Sequence, residues 1–296
     1  MTAGLTVLPA VAAVVAPVLL LAGAGFLWQR SGRDWPVELV GRLAMGPAVP
    51  CLVFTALTRS ELSAGLLGSV ALAAAVGYGA LTLAFLALAR GIGLDRRSYV
   101  VPLTFGNTGN LGLPLALFGF GEPGLALAVA IFAVAVIWQF SFGVWLMTCG
   151  GPGRVLREPM VWASLLGGLF LWQGWQPPRW LGDTLALAGQ MAIPLMLLTL
   201  GVAVARLRPA RLLLAGGLSL LRLVVCLAVA IAVALLLAPD RLAFAVIVLQ
   251  LTTPVPVTAY LMAVRADADA DAAAGLVFAS TLLGLVTLPL TLAFFL

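Results

Sequence analysis

The stretch FGNTGNLGLPLALFGFG, Phe105–Gly121, decides how the rest of the chain is read. It puts two asparagines, a threonine, a proline and five glycines into a length that would otherwise make one apolar helix. Around it the sequence is almost continuously hydrophobic: 63% of residues are apolar, 9% are charged, and mean hydropathy is +1.15. That composition excludes a soluble globule and points to an all-α, polytopic membrane protein. In hydrocarbon an unpaired backbone N–H or C=O is costly, so a helix broken at membrane depth needs a reason.

Ten apolar segments, each near the roughly 20 residues a bilayer requires, can be marked at 5–28, 36–58, 63–90, 99–120, 122–149, 160–176, 180–204, 211–238, 242–263 and 272–295. No Lys or Arg precedes the first, and its apolar run is too long for a cleaved signal; it is expected to be the first span. All 16 basic residues are arginine. With the N-terminus outside, eleven fall at inner loops: Arg30, Arg33, Arg90, Arg96, Arg97, Arg154, Arg157, Arg206, Arg208, Arg211 and Arg265. Three, Arg59, Arg179 and Arg241, fall outside, and Arg42 and Arg222 lie within spans. The asymmetry predicts a multi-pass membrane protein with both termini outside. The net charge of +5 follows from that topology, so no nucleic-acid partner is implied.

Histidine is absent, and Cys51, Cys149 and Cys226 are scattered through apolar context. His-based acid–base chemistry and ordinary zinc or haem sites are therefore excluded, and no cofactor or metal is expected. An intramembrane lipid enzyme, the rival from another class, needs a nucleophile–base pair or a carboxylate cluster at membrane depth, and no Asp or Glu sits mid-span.

The longest polar connection, 149–160, divides the chain into 1–150 and 151–296, with five predicted spans in each half. An odd number makes the second half enter from the opposite side, the geometry of an inverted repeat. Residues 43–57, LAMGPAVPCLVFTAL, and 187–201, LAGQMAIPLMLLTLG, agree at a constant offset: Leu43 with Leu187, Ala44 with Ala188, Pro50 with Pro194, Thr55 with Thr199. The fourth segment then pairs with the ninth, VLQLTTPVPVTAYLMAV (248–264), which is interrupted by Thr252, Thr253, Pro254 and Pro256. Proline deletes a helical hydrogen bond, and Gly106, Gly109 and Gly112 loosen the fourth segment before Pro114. Matched interruptions in two halves are the sequence pointer to a transporter binding site. The free N–H groups and positive dipole ends of two half-helices make an anion site without a buried cation.

GNTGNLGLPL (106–115) resembles the fourth-span motif of the auxin efflux carrier family, which includes plant auxin carriers and many bacterial carriers of small carboxylates. IPLMLLTLGVAV (193–204) and STLLGLVTLPLTL (280–292) are similar to that family's seventh and last spans. The resemblance implies ten spans in two inverted five-helix repeats, with broken helices 4 and 9 crossing. It further implies an elevator motion of spans 3–5 and 8–10 against a scaffold of spans 1, 2, 6 and 7, and an organic-anion substrate. Carried over, Asn107, Thr108, Gly109, Asn110 and Pro114 fall at the fourth-span crossing, and Thr252, Thr253, Pro254, Pro256 and Thr258 at the ninth. Thr258 departs from the pattern, standing where an asparagine or serine is expected. A homodimer through scaffold helices is a further expectation of the resemblance. Together with the short loops, the resemblance implies the inner (plasma) membrane.

The expected function is secondary transport of small organic anions, carboxylates or auxin-like, as potential-driven export through the lipid bilayer. Glu122, Gln139, Gln250 and Arg222 are the candidates for coupling or polar contacts. Arg222 has three readings: pairing with a substrate carboxylate, snorkelling, or a polar helix contact. The alternative is a sodium- or proton-coupled symporter of the bile-acid-carrier type, with sodium held by neutral oxygens of Asn107, Gln250, Thr252 and Thr253.

Overall fold

A continuous helix satisfies every backbone polar group within its own segment, which is what a hydrocarbon layer demands. The computed structural model describes residues 3–148, 156, 158–207 and 211–296. Arg154, Arg157, Arg208 and Cys149, with most of the predicted connection between the halves, lie outside the described residues. Among those described, the chain is all helix with no strand. Seven helical stretches are long and apolar enough to cross a membrane: 9–30, 37–58, 64–91, 96–147, 179–206, 212–237 and 270–295.

Helix α1 is Ala3–Arg30. The second stretch is α2, Val37–Leu43, a π-helical turn Ala44–Ala48, and α3, Val49–Thr58. The widened turn falls at Pro47, just before Pro50, where the ring removes a donor and crowds the turn before it. Helix α4, Ala64–Gly91, starts where the Ser63 hydroxyl accepts from the Leu66 N–H at 3.2 Å.

Stretch 96–147 would reach roughly 80 Å as one rod at 1.5 Å per residue, far beyond a bilayer. It is instead interrupted twice. Helix α5, Arg96–Thr104, gives way to open backbone at 105–107 and then to a π-helical turn, Thr108–Gly112. Helix α6, Leu113–Trp138, folds back at Gly121, whose φ of 67° and ψ of −163° only glycine adopts without strain. A third π-helical turn, Gln139–Gly143, leads into α7, Val144–Thr148.

In the C-terminal half, α8 is Pro159–Gln173, only 15 residues, because Gly174 leaves it in the left-handed conformation. It is shorter than the predicted 160–176. Helices α9, Arg179–Gln190, and α10, Ala192–Arg206, are offset at Met191, three residues before Pro194. Helix α11 is Leu212–Leu237; α12, Arg241–Leu251, and α13, Val257–Arg265, flank an open segment; α14 is Ala270–Phe295. The predicted ninth segment is thus two short helices.

Packing sorts these helices into two groups. One is α1, α3, α8, α9 and α10; the other is α4, α5, α6, α11, α12, α13 and α14. Polar contacts tie each group internally. In the first, Arg59 donates to Gly182 C=O at 3.2 Å and Gln176 to Thr58 C=O at 3.0 Å. In the second, Arg97 donates to Met147 and Ala266 carbonyls at 2.8 and 3.1 Å, and Trp138 Nε1 to Thr82 Oγ1 at 3.2 Å.

Asp95 caps α5, accepting from the Arg97 and Ser98 N–H groups. Partial burial pushes its carboxyl up, but the Ser98 hydroxyl, those two N–H groups and the Arg97 charge outweigh this and hold it below its ordinary 3.8. A depressed pKa means that the contribution is present above 3.8 and lost as pH falls through the lower folded value. Asp95→Ala is expected to cost about 1 kcal/mol at pH 7. In thermal melts of purified protein, the gap between wild type and variant should close below pH 3.8.

Candidate functional site

Proline at 254 and 256 stops α12 from running on into α13, and glycine at 106 frees the backbone after α5. The two open segments meet. The Asn107 N–H donates to the Pro254 C=O at 2.7 Å, so each break supplies a partner for the other. This approach requires glycine at 106: a Cβ there would lie 2.3 Å from Thr253 Oγ1 and 3.1 Å from Thr253 O. Gly112 likewise makes room for the Gln250 amide, whose Oε1 would lie 2.1 Å from a Cβ at 112.

The remaining backbone of the break in α12–α13 is satisfied nearby. Thr252 Oγ1 donates to Val248 C=O and Thr253 Oγ1 to Gln250 C=O, both at 2.7 Å. The Val255 N–H reaches Ser280 Oγ on α14 at 2.9 Å. Pro114 does not mark the fourth-span break, which comes seven residues earlier. It follows the π-helical turn Thr108–Gly112 within continuing helix, as Pro50 follows Ala44–Ala48, and its ring removes a donor from that stretch.

Arg222, on α11, is 2% exposed. Its Nε donates to Leu103 C=O at 2.9 Å, Nη2 to Phe105 C=O at 3.0 Å, and Nη1 to Thr253 C=O at 2.9 Å. Snorkelling is thereby ruled out, and of the three sequence readings the polar helix contact describes this conformation. The three carbonyls come from the C-terminal ends of both half-helices, α5 and α12, where the helix dipole is negative.

At the opposite ends the dipoles are positive. Leu111 and Gly112 N–H groups both reach Asn107 C=O at 3.1 Å, so the N–H groups of Thr108, Gly109 and Asn110 precede the first bond of their turn. Pro256 is the N-cap of α13, and the first bond there runs from Ala259 N–H to Pro256 C=O at 3.0 Å. Asn107 Nδ2 and both amide atoms of Gln250 are buried and find no partner among the described residues. Buried polar atoms without partners are rare and ask for an explanation. These three lie at the crossing; Trp35 Nε1, Tyr78 OH, Thr104 Oγ1, Thr199 Oγ1 and Ser219 Oγ are further such atoms among the described residues.

The other sequence candidates divide in two. Gln139 Nε2 donates to Thr258 Oγ1 at 3.3 Å, bringing those two together in the first turn of α13. Glu122 is remote from the crossing. It lies beyond the Gly121 turn and lines a cavity of about 770 Å³ with Thr55, Arg59, Glu61 and Gln190, between α3, α9–α10 and α6. An apolar cavity of about 260 Å³ touches Leu111 and Pro254 and continues along α1, α10 and α14. Met196 of α10 and Phe132 of α6 close over Gly109, 3.1 and 2.9 Å from where its Cβ would stand.

Sequence reasoning assigned no role to Ser280 or Met196. The only signal for Ser280 was a hydroxyl in an apolar helix, and Met196 carried none.

Residues 144–292, just over half of the chain, match a family described as membrane transport protein. The chain is also 31% identical, over 202 residues, to an uncharacterized transporter of Methanothermobacter thermautotrophicus. That alignment covers 64% of this chain and spans 66% of the length of the curated relative.

Proposed function

From a chain that belongs to the membrane transport protein family, the auxin-efflux-carrier-like family its motifs resemble, we infer a secondary transporter of small organic anions whose substrate binds where the two broken helices cross. The observation that carries this reading is the pair of buried, partnerless groups there, Asn107 Nδ2 and the Gln250 amide, beside the positive end of the turn at Thr108. A carboxylate offers two strong acceptors to such donors. Thr108, Gly109 and Asn110 present backbone N–H groups to it, while Thr252 and Thr253 hold the shape of the facing break. Pro114, Pro254 and Pro256 keep both half-helices from closing up, and Thr258 with Gln139 borders the site on α13.

The reading extends to architecture. Ten spans form two inverted five-helix repeats, 1–150 and 151–296, with helices 4 (α5 and the first part of α6) and 9 (α12–α13) crossing. Spans 1, 2, 6 and 7 are the scaffold and the remainder moves as an elevator. The two packing groups support this division: each is braced by its own hydrogen bonds, and the junction between them carries two cavities. The larger cavity, with Arg59 at its rim, is the approach from outside, and Glu122 flanks that approach rather than the binding site. The protein works in an inner membrane with both termini outside, pairing with a second copy through scaffold helices. Its activity is transport and not catalysis.

A negative-inside potential drives an anion outward with about 2.3 kcal/mol per charge per 100 mV, enough for export without a coupling ion. The test is uptake of a panel of labelled mono- and dicarboxylates into proteoliposomes. At least one carboxylate is expected to enter faster than into protein-free liposomes and to be competed by its unlabelled form. Equal rates across the panel would overturn the substrate class.

A further inference from the structure

We propose that Arg222 is a tethered counter-cation for the crossing: it holds, as part of the chain, the place that a bound coupling cation would fill, and so makes the site sodium-independent and selective for anions. The inference rests on the transport reading above and settles a point that reading leaves open.

A guanidinium buried within a span is expensive unless its charge and donors are met. At Arg222 they are met without a carboxylate. The four described ion pairs lie elsewhere, at Glu38, Asp183 (twice) and Asp269. What meets Arg222 instead is backbone: Leu103 and Phe105 carbonyls at the end of α5 and the Thr253 carbonyl at the end of α12, all within 3.0 Å. Each helix C-terminus carries roughly half a negative charge. Two such ends converging on one point amount to about one charge, which one guanidinium neutralises.

The consequence is an asymmetry. Two half-helices crossing head to tail present two negative and two positive ends near the midplane. With the negative ends cancelled by Arg222, the uncompensated ends are the positive ones, at Thr108 and Val257. A sodium ion seeking the carbonyl cluster finds its oxygens already accepting from Arg222 and a fixed positive charge beside them. The hydroxyls of Thr252 and Thr253 have their hydrogens on helix carbonyls, so they reinforce the break. The fork of Arg222 also spans both breaks, joining residues 103 and 105 to residue 253, so it fixes the crossing as well as its charge.

The experiment is thermal unfolding of the purified, detergent-solubilised full chain in sodium, potassium and choline chloride at equal ionic strength. The variants are Arg222→Ala and Arg222→Lys. The wild type is expected to melt at one temperature in all three salts. Arg222→Ala is expected to melt about 10 °C lower in choline chloride. It should regain about half of that loss with millimolar methylguanidinium, and part of it with sodium, because the vacated carbonyls become a cation site. Arg222→Lys keeps the charge but not the fork, so it is expected to melt at an intermediate temperature and remain insensitive to sodium. Selective stabilisation of the wild type by sodium would overturn the proposal. So would an Arg222→Ala protein that melts like wild type, or one that responds to neither methylguanidinium nor sodium. If Arg222→Ala does not fold, Arg222→Lys decides: sodium sensitivity, or a wild-type melting temperature, contradicts the tethered cation. No substrate enters these melts, so failure of the carboxylate panel and failure of this inference are separate results.

Discussion

An Asn107→Ala protein is expected to insert and to melt within about 2 °C of wild type, yet to lose carboxylate transport by roughly 10- to 150-fold, the worth of one hydrogen bond to a charged group. Asn107 is 4% exposed and lies at the crossing. Its backbone does the structural work: the N–H binds Pro254 C=O, and its C=O receives the Leu111 and Gly112 N–H groups. Alanine keeps all three bonds. The side-chain Nδ2 donates to nothing among the described residues, so removing it strands no partner there. A side chain that the fold does not use, buried at the one place where two helices are interrupted, is available to a ligand. Paired measurements of melting temperature and initial uptake check this. A large fall in melting temperature would make Asn107 a structural residue, and undiminished uptake would remove it from the site.

Gly201→Ala is expected to cost about 1–3 kcal/mol, an overpacking penalty. A Cβ at 201 would lie 1.8 Å from Ala22 O and 2.7 Å from Phe26 N. The reciprocal contact is as close, since a Cβ at Gly25 would lie 2.0 Å from Leu198 O. Helices α1 and α10 thus touch backbone to backbone, and no flexible side chain stands there to give way. In a bilayer, lipid tails are as apolar as leucine, so helices associate through close packing of small residues. One methyl group pushes these two apart. At 2–4 °C per kcal/mol, the melting temperature should fall by about 2–12 °C. Gly41→Ala is the control: nothing lies within 4 Å of its Cβ position, and alanine favours helix, so no loss is expected. Equal melting of the two variants would show that the α1–α10 contact is not what holds this group together.

Much of this was legible in the sequence because it is written in local chemistry. Gly106, Pro254 and Pro256 cannot sit quietly inside a helix, and they marked the two interruptions correctly. Pro114 stands past the break: the open backbone lies at Phe105–Asn107, and Pro114 follows the π-helical turn Thr108–Gly112 within continuing helix. The π-helical turns at Ala44–Ala48 and Gln139–Gly143 left no periodic signature in an almost uniformly apolar segment. Arg222 was visible as a charge within a span, but its partners lie 119, 117 and 31 residues away, and only the folded chain brings those carbonyls to it. Gly25 and Gly201 were invisible for the opposite reason. In a chain with 32 glycines, the two that touch backbone look like those that do not.

The central claim is a crossing that binds anions and needs no coupling cation. Uptake of the carboxylate that the panel selects, under an imposed potassium-diffusion potential of either sign, with and without sodium or a proton gradient, tests it most directly. The account predicts entry that follows an inside-positive potential, reverses with its sign, and is the same in sodium and in choline. Uptake that requires sodium or a proton gradient, or that ignores the sign of the potential, would contradict it.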